Sequence, residues 1–333
     1  MSPSDPVVVT NRLTKKYGDR VVLDGLSLAV DRGQILGFIG PNGAGKTTTI
    51  KILVGLARPT NGSASIAGAD CVREARRIKR LVGYMPDTFG AYDNMRVREY
   101  LDFFGAAFGI PRRQRIRRIE EVLATTGSAY MKDLYVESLS HGMRQRIGVA
   151  RTLLHDPPVL ILDEPANGQD PQARIEMRDL LLRLAEMGKT LLVTSHILPE
   201  LSRVCHRVAI ITRGRLRAYG TLDEITRSIR QVRTLEVLLT RADQIDLATR
   251  VIRAGVEPGM EVTGSPAEST VRFQTGKREE ELAGVLTALV AAPVAITQFR
   301  EVQTDLEDAF MTVARQAEDA ADVALSLSLT GGQ

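Results

Sequence analysis

One stretch limits this chain's fold more than any other: Gly40-Pro41-Asn42-Gly43-Ala44-Gly45-Lys46-Thr47. An apolar run, Ile35 to Ile39, precedes it, and a helical pattern from Thr48 to Val54 follows. Strand, glycine loop and helix in that order give a G-x-x-x-x-G-K-T match its meaning as a polyphosphate cradle. Gly43 and Gly45 carry no Cβ, so the backbone can approach a ligand closely and adopt positive φ. Successive N–H groups and the helix N-terminus then present partial positive charge to phosphate. Lys46 is expected to reach the β- and γ-phosphates, and the Thr47 hydroxyl to ligate Mg²⁺.

At 333 residues the chain suggests two domains of roughly 100–200 residues each. Its 44% hydrophobic and 25% charged content suits a globular protein with a sizeable core. A net charge of +4 is small, and no nucleic acid partner is expected. Cys71 and Cys205 lack metal-type spacing and fit a reducing compartment without a disulfide framework. The first ten residues have neither the basic patch nor the apolar stretch of a signal peptide. No run of about 18 apolar residues occurs, so the chain is not expected to cross a membrane on its own.

Between residues 7 and 219 apolar strand runs alternate with helical patterns, and several strands are continuously apolar. This indicates an α/β layer on a mainly parallel sheet. After about Ile229 the order becomes strand (234–239), helix (243–253), strand (259–263), strand (269–274), helix (278–290), strand (294–300). That β-α-β-β-α-β order is the ferredoxin-like pattern and reads as a separate small domain. Residues 306–313 read as a last helix, and the Ala-, Ser- and Gly-rich tail 317–333 as loose.

A glycine loop alone indicates a nucleotide; a second motif indicates what happens to it. Val159-Leu160-Ile161-Leu162-Asp163-Glu164 sets two carboxylates at the end of an apolar strand. Burial of that strand beside the P-loop strand would bring Asp163 to the Mg²⁺ shell. Glu164 is then placed to orient or deprotonate water, or else to serve as a further metal-shell or structural carboxylate. Ser140, in Leu139-Ser140-His141-Gly142-Met143, is a good helix N-cap.

These motifs, in this order and spacing, resemble the ATP-binding cassette family over residues 7–225, about two-thirds of the chain. The resemblance implies a P-loop NTPase core at 1–228 with a helical subdomain at about 87–155. The α+β ferredoxin-like domain at 229–316 and the tail at 317–333 follow it. Gly40 to Thr48 (Pro41, Asn42, Gly43, Ala44, Gly45, Lys46 and Thr47 between them) match the Walker A loop, and Asp163 with Glu164 matches Walker B and its catalytic glutamate. Tyr17 matches the aromatic that stacks on adenine, although alone it would be an ordinary turn tyrosine. Asn167-Gly168-Gln169-Asp170 falls at the D-loop, and His196 matches the switch histidine at the γ-phosphate. Leu139 to Met143 stands where the family carries LSGGQ. The resemblance implies ATP with Mg²⁺, and two copies pairing head to tail so that Ser140 and Gly142 of one meet the γ-phosphate held by the other. Catalytic roles fall to Glu164, His196 and Lys46, and metal contacts to Thr47, Asp163 and Asp87.

Four departures stand out. Asp87 replaces the glutamine usual after the Leu81–Pro86 segment, His141 replaces the first signature glycine, and Met143 replaces the signature glutamine. The D-loop carries Gln169 where leucine is common. The resemblance also implies a separate integral membrane permease, contacted by the segment between Pro86 and Ser140, and a cytoplasmic location on the inner membrane face through it. The run Arg112, Arg113, Arg115, Arg117, Arg118 reads as a solvated helix face or as a headgroup or permease contact. Leu306-Glu307-Asp308-Ala309-Phe310 resembles the ending of exporter ATPases for drugs, antibiotics and polysaccharides. The rival readings are a nonhydrolytic nucleotide-dependent regulator and a soluble ATPase of translation or DNA maintenance. The short span from Lys46 to Ser140 leaves no room for the long coiled-coil arm of the DNA-associated type.

Overall fold

Uniformly apolar strands need cover on both faces, and the computed structural model of the chain shows how they obtain it. It describes residues 6–88, 90, 94–196, 201, 203–229 and 233–302. The chain divides into two compact units, the first running to Leu222 and the second starting at Asp223. The division falls before the expected boundary at 228/229, because helix Leu222–Ile229 clusters almost wholly with the second unit. The last helix at 306–313, the 306–310 run and the 317–333 tail lie outside the described residues.

The first unit holds two sheets rather than one. β1 (Pro6–Tyr17), β2 (Arg20–Asp31), β4 (Asn61–Ile66) and β5 (Ala69–Asp70) form an antiparallel sheet in the order β2-β1-β4-β5. The mainly parallel sheet expected from the sequence is the other one, and this antiparallel sheet is additional to it. β1 and β2 alternate buried and exposed positions, the pattern of an antiparallel sheet with one wet face. The Asp24-Gly25 pair does not break β2. Register shifts in its pairing with β1 between Thr10 and Lys16 absorb it, with Gly25 at φ 66° donating its N–H to Thr14 Oγ1 at 3.1 Å.

The second sheet is built from β3 (Ile35–Ile39), β6 (Val82–Met85), β7 (Val159–Leu162), β8 (Thr190–Ser195), β9 (Arg207–Thr212) and β10 (Arg215–Gly220), in the order β10-β9-β3-β8-β7-β6. Every pairing from β9 to β6 is parallel, and β10 adds an antiparallel edge. All residues of β3, β7 and β8 are buried, which accounts for the apolar runs of β3 and β7 and for Leu191, Leu192 and Val193 in β8. β7 is not beside β3, as the sequence suggested: β8 lies between them. Parallel strands nevertheless end on the same edge, so the carboxyl ends of β3, β7 and β8 still share one rim.

The helices of this unit are α1 (Lys46–Leu53), α2 (Ala75–Leu81), α3 (Val97–Ala107), α4 (Arg112–Thr125), α5 (His141–Leu153) and α6 (Pro171–Glu186). α1 begins at Lys46, earlier than its apolar spacing indicates, because Gly45 at φ 110° serves as its cap. Two arginines of the α4 run are structural. Arg115 clamps Asp102 of α3 with bonds of 2.6 and 3.1 Å, and Arg118 donates to the Leu153 and Leu154 carbonyls at the end of α5. Arg112, Arg113 and Arg117 are exposed.

After α7 (Leu222–Ile229), the second unit runs β11 (Arg233–Leu239), α8 (Ile245–Gly255), β12 (Val262–Ser265), β13 (Thr270–Thr275), α9 (Glu279–Ala291) and β14 (Ile296–Val302). Its strands form one antiparallel sheet in the order β12-β13-β11-β14, so the β-α-β-β-α-β order is realised as a ferredoxin-like sheet. One sheet face and the two helices bury Val237, Ile252, Val271, Phe273 and Leu289 in a core of their own. On the other face, Arg272 and Arg300 both grip the Glu236 carboxylate, holding it below the usual carboxylate range. Because the cores are separate, Phe273→Ala is expected to cost about 3–5 kcal/mol within the second unit alone. Hydrogen exchange should accelerate in 233–302 and not in β3, β7 or β8.

Candidate nucleotide site

The rim where β3, β7 and β8 end is closed by the glycine loop. Gly43 and Gly45 have φ of 81° and 110°, a region L side chains avoid, so the loop can form only with glycine there. Gly40 has a different reason: a Cβ would stand 2.3 Å from the Ile211 carbonyl oxygen. The loop is pinned by Ala44 N–H to the Pro41 carbonyl at 3.1 Å, and by Gly214 N–H to the Ala44 carbonyl at 2.9 Å.

Pro41, Asn42, Gly43, Gly45, Lys46, Thr47 and Thr48 line a cavity of about 270 Å³, closed on the other side by Asp87, Asp163 and Glu164. Lys46 is only 6% exposed. Its Nζ donates to the Gly40 carbonyl at 2.6 Å, with the Pro41 carbonyl at 3.4 Å, and lies 3.4 Å from Glu164 Oε1. One ammonium therefore bridges the glycine loop and the acidic strand end.

Asp163 is 4% exposed, and burial raises its carboxyl above the usual range. A 2.6 Å bond from Thr194 Oγ1 opposes that shift, as does Lys46, while Glu164 and Asp87 reinforce it. Glu164 has φ 51°, left-handed backbone that a residue with a Cβ adopts at a cost. Its N–H donates to the same Thr194 Oγ1 at 2.9 Å. Its second carboxylate oxygen, Oε2, lies 2.9 Å from His196 Nδ1, at the end of β8.

The structure thus gathers most of the Walker A loop, Asp87, Asp163 and Glu164 around one cavity, with His196 joined to it through Glu164 rather than lining it. Tyr17, Ser140 and Gly142 are not among the described residues lining it. Tyr17 is 51% exposed and carries Lys15 Nζ 4.8 Å above its ring. Its hairpin partner Arg20 does line the cavity, as does Val22. Ser140 caps α5, accepting from Met143 N–H at 3.3 Å. Next to it, the ring of His141 reaches the D-loop, with Nε2 2.8 Å from the Asn167 carbonyl. Gln169 is buried and donates to the Pro165 carbonyl at 2.9 Å.

Sequence reading missed two contributors. Thr194 holds both acidic residues, and the only signal was its place in the Thr194-Ser195-His196 run. Arg20 is brought to the cavity by a hairpin pairing that no local pattern encodes.

Comparison with known proteins agrees with this geometry. The model for the ABC transporter family matches residues 23–167. The Nod factor export ATP-binding protein I of Ralstonia nicotianae is 40% identical over 222 residues, 67% of this chain and 69% of that protein. The probable multidrug ABC transporter ATP-binding protein YbhF of Escherichia coli is 36% identical over 67% of this chain, which spans 39% of that longer protein. A solved ATP-binding subunit of an ABC transporter aligns with TM-score 0.61 and 31% identity, over 67% of this chain and 93% of its own. A nucleotide-free ATP-binding cassette aligns at 0.62 with 22% identity, a likeness of fold alone. This chain belongs to the ABC transporter family. It is an ATP-binding subunit of that family, an ATPase.

A buried carboxyl raised in the folded state costs stability. The cost is absent below its unfolded pKa, grows as pH rises past that value, and is full above the folded one. Asp163→Asn should therefore raise the melting temperature of the ligand-free protein by a few degrees at pH 7.5. The gain should vanish as pH falls below the ordinary aspartate range, and thermal unfolding across pH checks the sign.

Proposed function

We propose that this chain binds ATP with Mg²⁺ in the cavity, pairs head to tail with a second copy across two nucleotides, and drives a separate membrane permease in the export direction. The reading rests on one observation: Lys46 stands 3.4 Å from Glu164 at a glycine loop whose cavity Asp163 and Asp87 also line.

The residues fit a triphosphate and its metal. The loop offers N–H groups from Asn42 to Thr48, and Lys46 can turn from the Gly40 carbonyl to a phosphate oxygen. Among the described residues no group of three or more His, Cys, Asp or Glu side chains forms a self-sufficient metal cage. Nucleotidase magnesium needs only one or two carboxylates beside the substrate phosphates. Thr47 and Asp163 would hold it with Asp87 at the rim, and it would neutralise charge on the transferring phosphoryl group. Glu164 then orients or deprotonates the attacking water, while His196, bonded to its other oxygen, reaches the γ-phosphate. Tyr17 offers its exposed ring to adenine, with Arg20 beside it. Ser140 and Gly142, at the N-terminus of α5, serve the nucleotide bound to the other copy, where the helix dipole favours negative charge.

Cleavage removes a charge both copies hold, so closing and opening of the pair become work for the permease. No described helix is long and apolar enough to cross a membrane; on this reading the cargo passes through the permease. Export is supported by the Nod factor and multidrug names of the relatives and by the 306–310 run. On this reading the chain sits in the cytoplasm, peripheral to the membrane.

Glu164→Gln should lower kcat by about 100-fold or more while leaving Mg-ATP affinity within a few-fold and trapping the dimer. Phosphate release, nucleotide binding and size-exclusion chromatography check the three parts. Lys46→Ala should abolish binding itself. Hydrolysis at the wild-type rate by the Glu164 variant would remove the assignment of the base.

A further inference from the structure

The imidazole of His141 is the least expected side chain near the site. A signature glycine has no side chain, yet here the first residue of α5 reaches across to the turn after β7. Its Nε2 lies 2.8 Å from the Asn167 carbonyl oxygen, and a carbonyl can only accept. Nε2 must therefore carry the hydrogen, which both the neutral Nε2–H tautomer and the imidazolium supply. Asn167 N–H in turn donates to the Glu164 carbonyl at 3.1 Å. Two hydrogen bonds thus connect the start of α5 to the backbone of Glu164.

That backbone needs holding. Glu164 sits at φ 51°, and Gly168 follows in the same turn at φ 67°. A non-glycine residue keeps such a conformation only while its surroundings over-determine it. Thr194 secures the Glu164 N–H, and Asn167 secures its carbonyl. Among the described residues, His141 holds Asn167 from outside the turn. Gln145, one turn along α5, has its amide nitrogen 3.5 Å from both His141 Nε2 and the Asp87 carbonyl, so the same helix face touches the Asp87 loop.

We propose that His141 is a positioning residue for Glu164: it ties the turn carrying the catalytic carboxylate to the N-terminus of α5. The proposal rests on the reading of Glu164 as base or water-orienting group given above. It makes the surface that meets the second copy's nucleotide continuous, within one chain, with the carboxylate serving the chain's own nucleotide. The metal and phosphate ligands are untouched by this link, so its loss should affect turnover and leave nucleotide binding alone.

The test compares the full-length wild type with H141F, H141A and H141Q. Phenylalanine keeps a ring without a donor, alanine removes both, and glutamine keeps an N–H donor at similar reach. H141F and H141A should each lower kcat about tenfold, the effect of one hydrogen bond, with KM for Mg-ATP within about twofold. H141Q should recover at least about half of wild-type kcat. His141 is exposed, and thermal unfolding of all three variants confirms that they fold. Wild-type kcat in H141F, an equal loss in H141Q and H141F, or a loss carried by KM would each overturn the proposal while leaving the ATPase reading intact. A wild type that binds Mg-ATP without turning it over would overturn both.

Discussion

The site depends on a charge imbalance that the strand ends impose. Asp163, Glu164 and Asp87 converge on a cavity where Lys46 is the buried cation, and Asp163 is nearly inaccessible to water. Carboxylates gathered in a poorly solvated space lose hydration and, to a lesser degree, repel one another, which is why the Asp163 carboxyl is raised. Lys46 relieves part of this from 3.4 Å, and Thr194 relieves another part with a single hydroxyl serving both acidic residues. On the proposed reading, a divalent cation bound with polyphosphate would relieve the remainder, with Asp163 and Asp87 as its candidate carboxylates. The chemistry of the ligand can be read from what the residues leave uncompensated.

Rigidity on the P-loop side and strain on the carboxylate side divide the work. Gly40, close against the Ile211 carbonyl, and Gly45, at positive φ, fix the loop in a shape set by packing and backbone geometry. Glu164 is held in an unfavourable backbone region by hydrogen bonds to its N–H and carbonyl. A residue so held is placed reproducibly, yet its placement responds to whatever touches the turn behind it. In this chain that includes the D-loop and the start of α5.

Much of the site was legible because its chemistry is local. The glycine loop, the acidic pair and the N-cap serine are each encoded within a few consecutive residues, and their order identified the family. Other features were not legible because they depend on which strands become neighbours. β8 separates β7 from β3, Arg20 reaches the cavity through a hairpin, and Thr194 joins the Asp163 carboxylate to the Glu164 backbone N–H across about 30 residues of chain. The division into two sheets was hidden for the same reason, since alternation in β1 and β2 names a face but not the partner behind it. In the arginine run of α4, composition could not separate Arg115 and Arg118, which bind inward, from three exposed neighbours, because only helix phase and contact decide that.

The sequence by itself determined the ATP-binding class, the Lys46–Thr47 and Asp163–Glu164 pairs, and the β-α-β-β-α-β order of the second unit. Each follows from residue types at fixed short spacing, where backbone geometry leaves little freedom. Only the tertiary structure decided how the two acidic residues are held, why Gly40 admits no side chain, and that His141 reaches Asn167. Those are distances between segments far apart in the chain, fixed by packing of whole strands and helices rather than by any local preference.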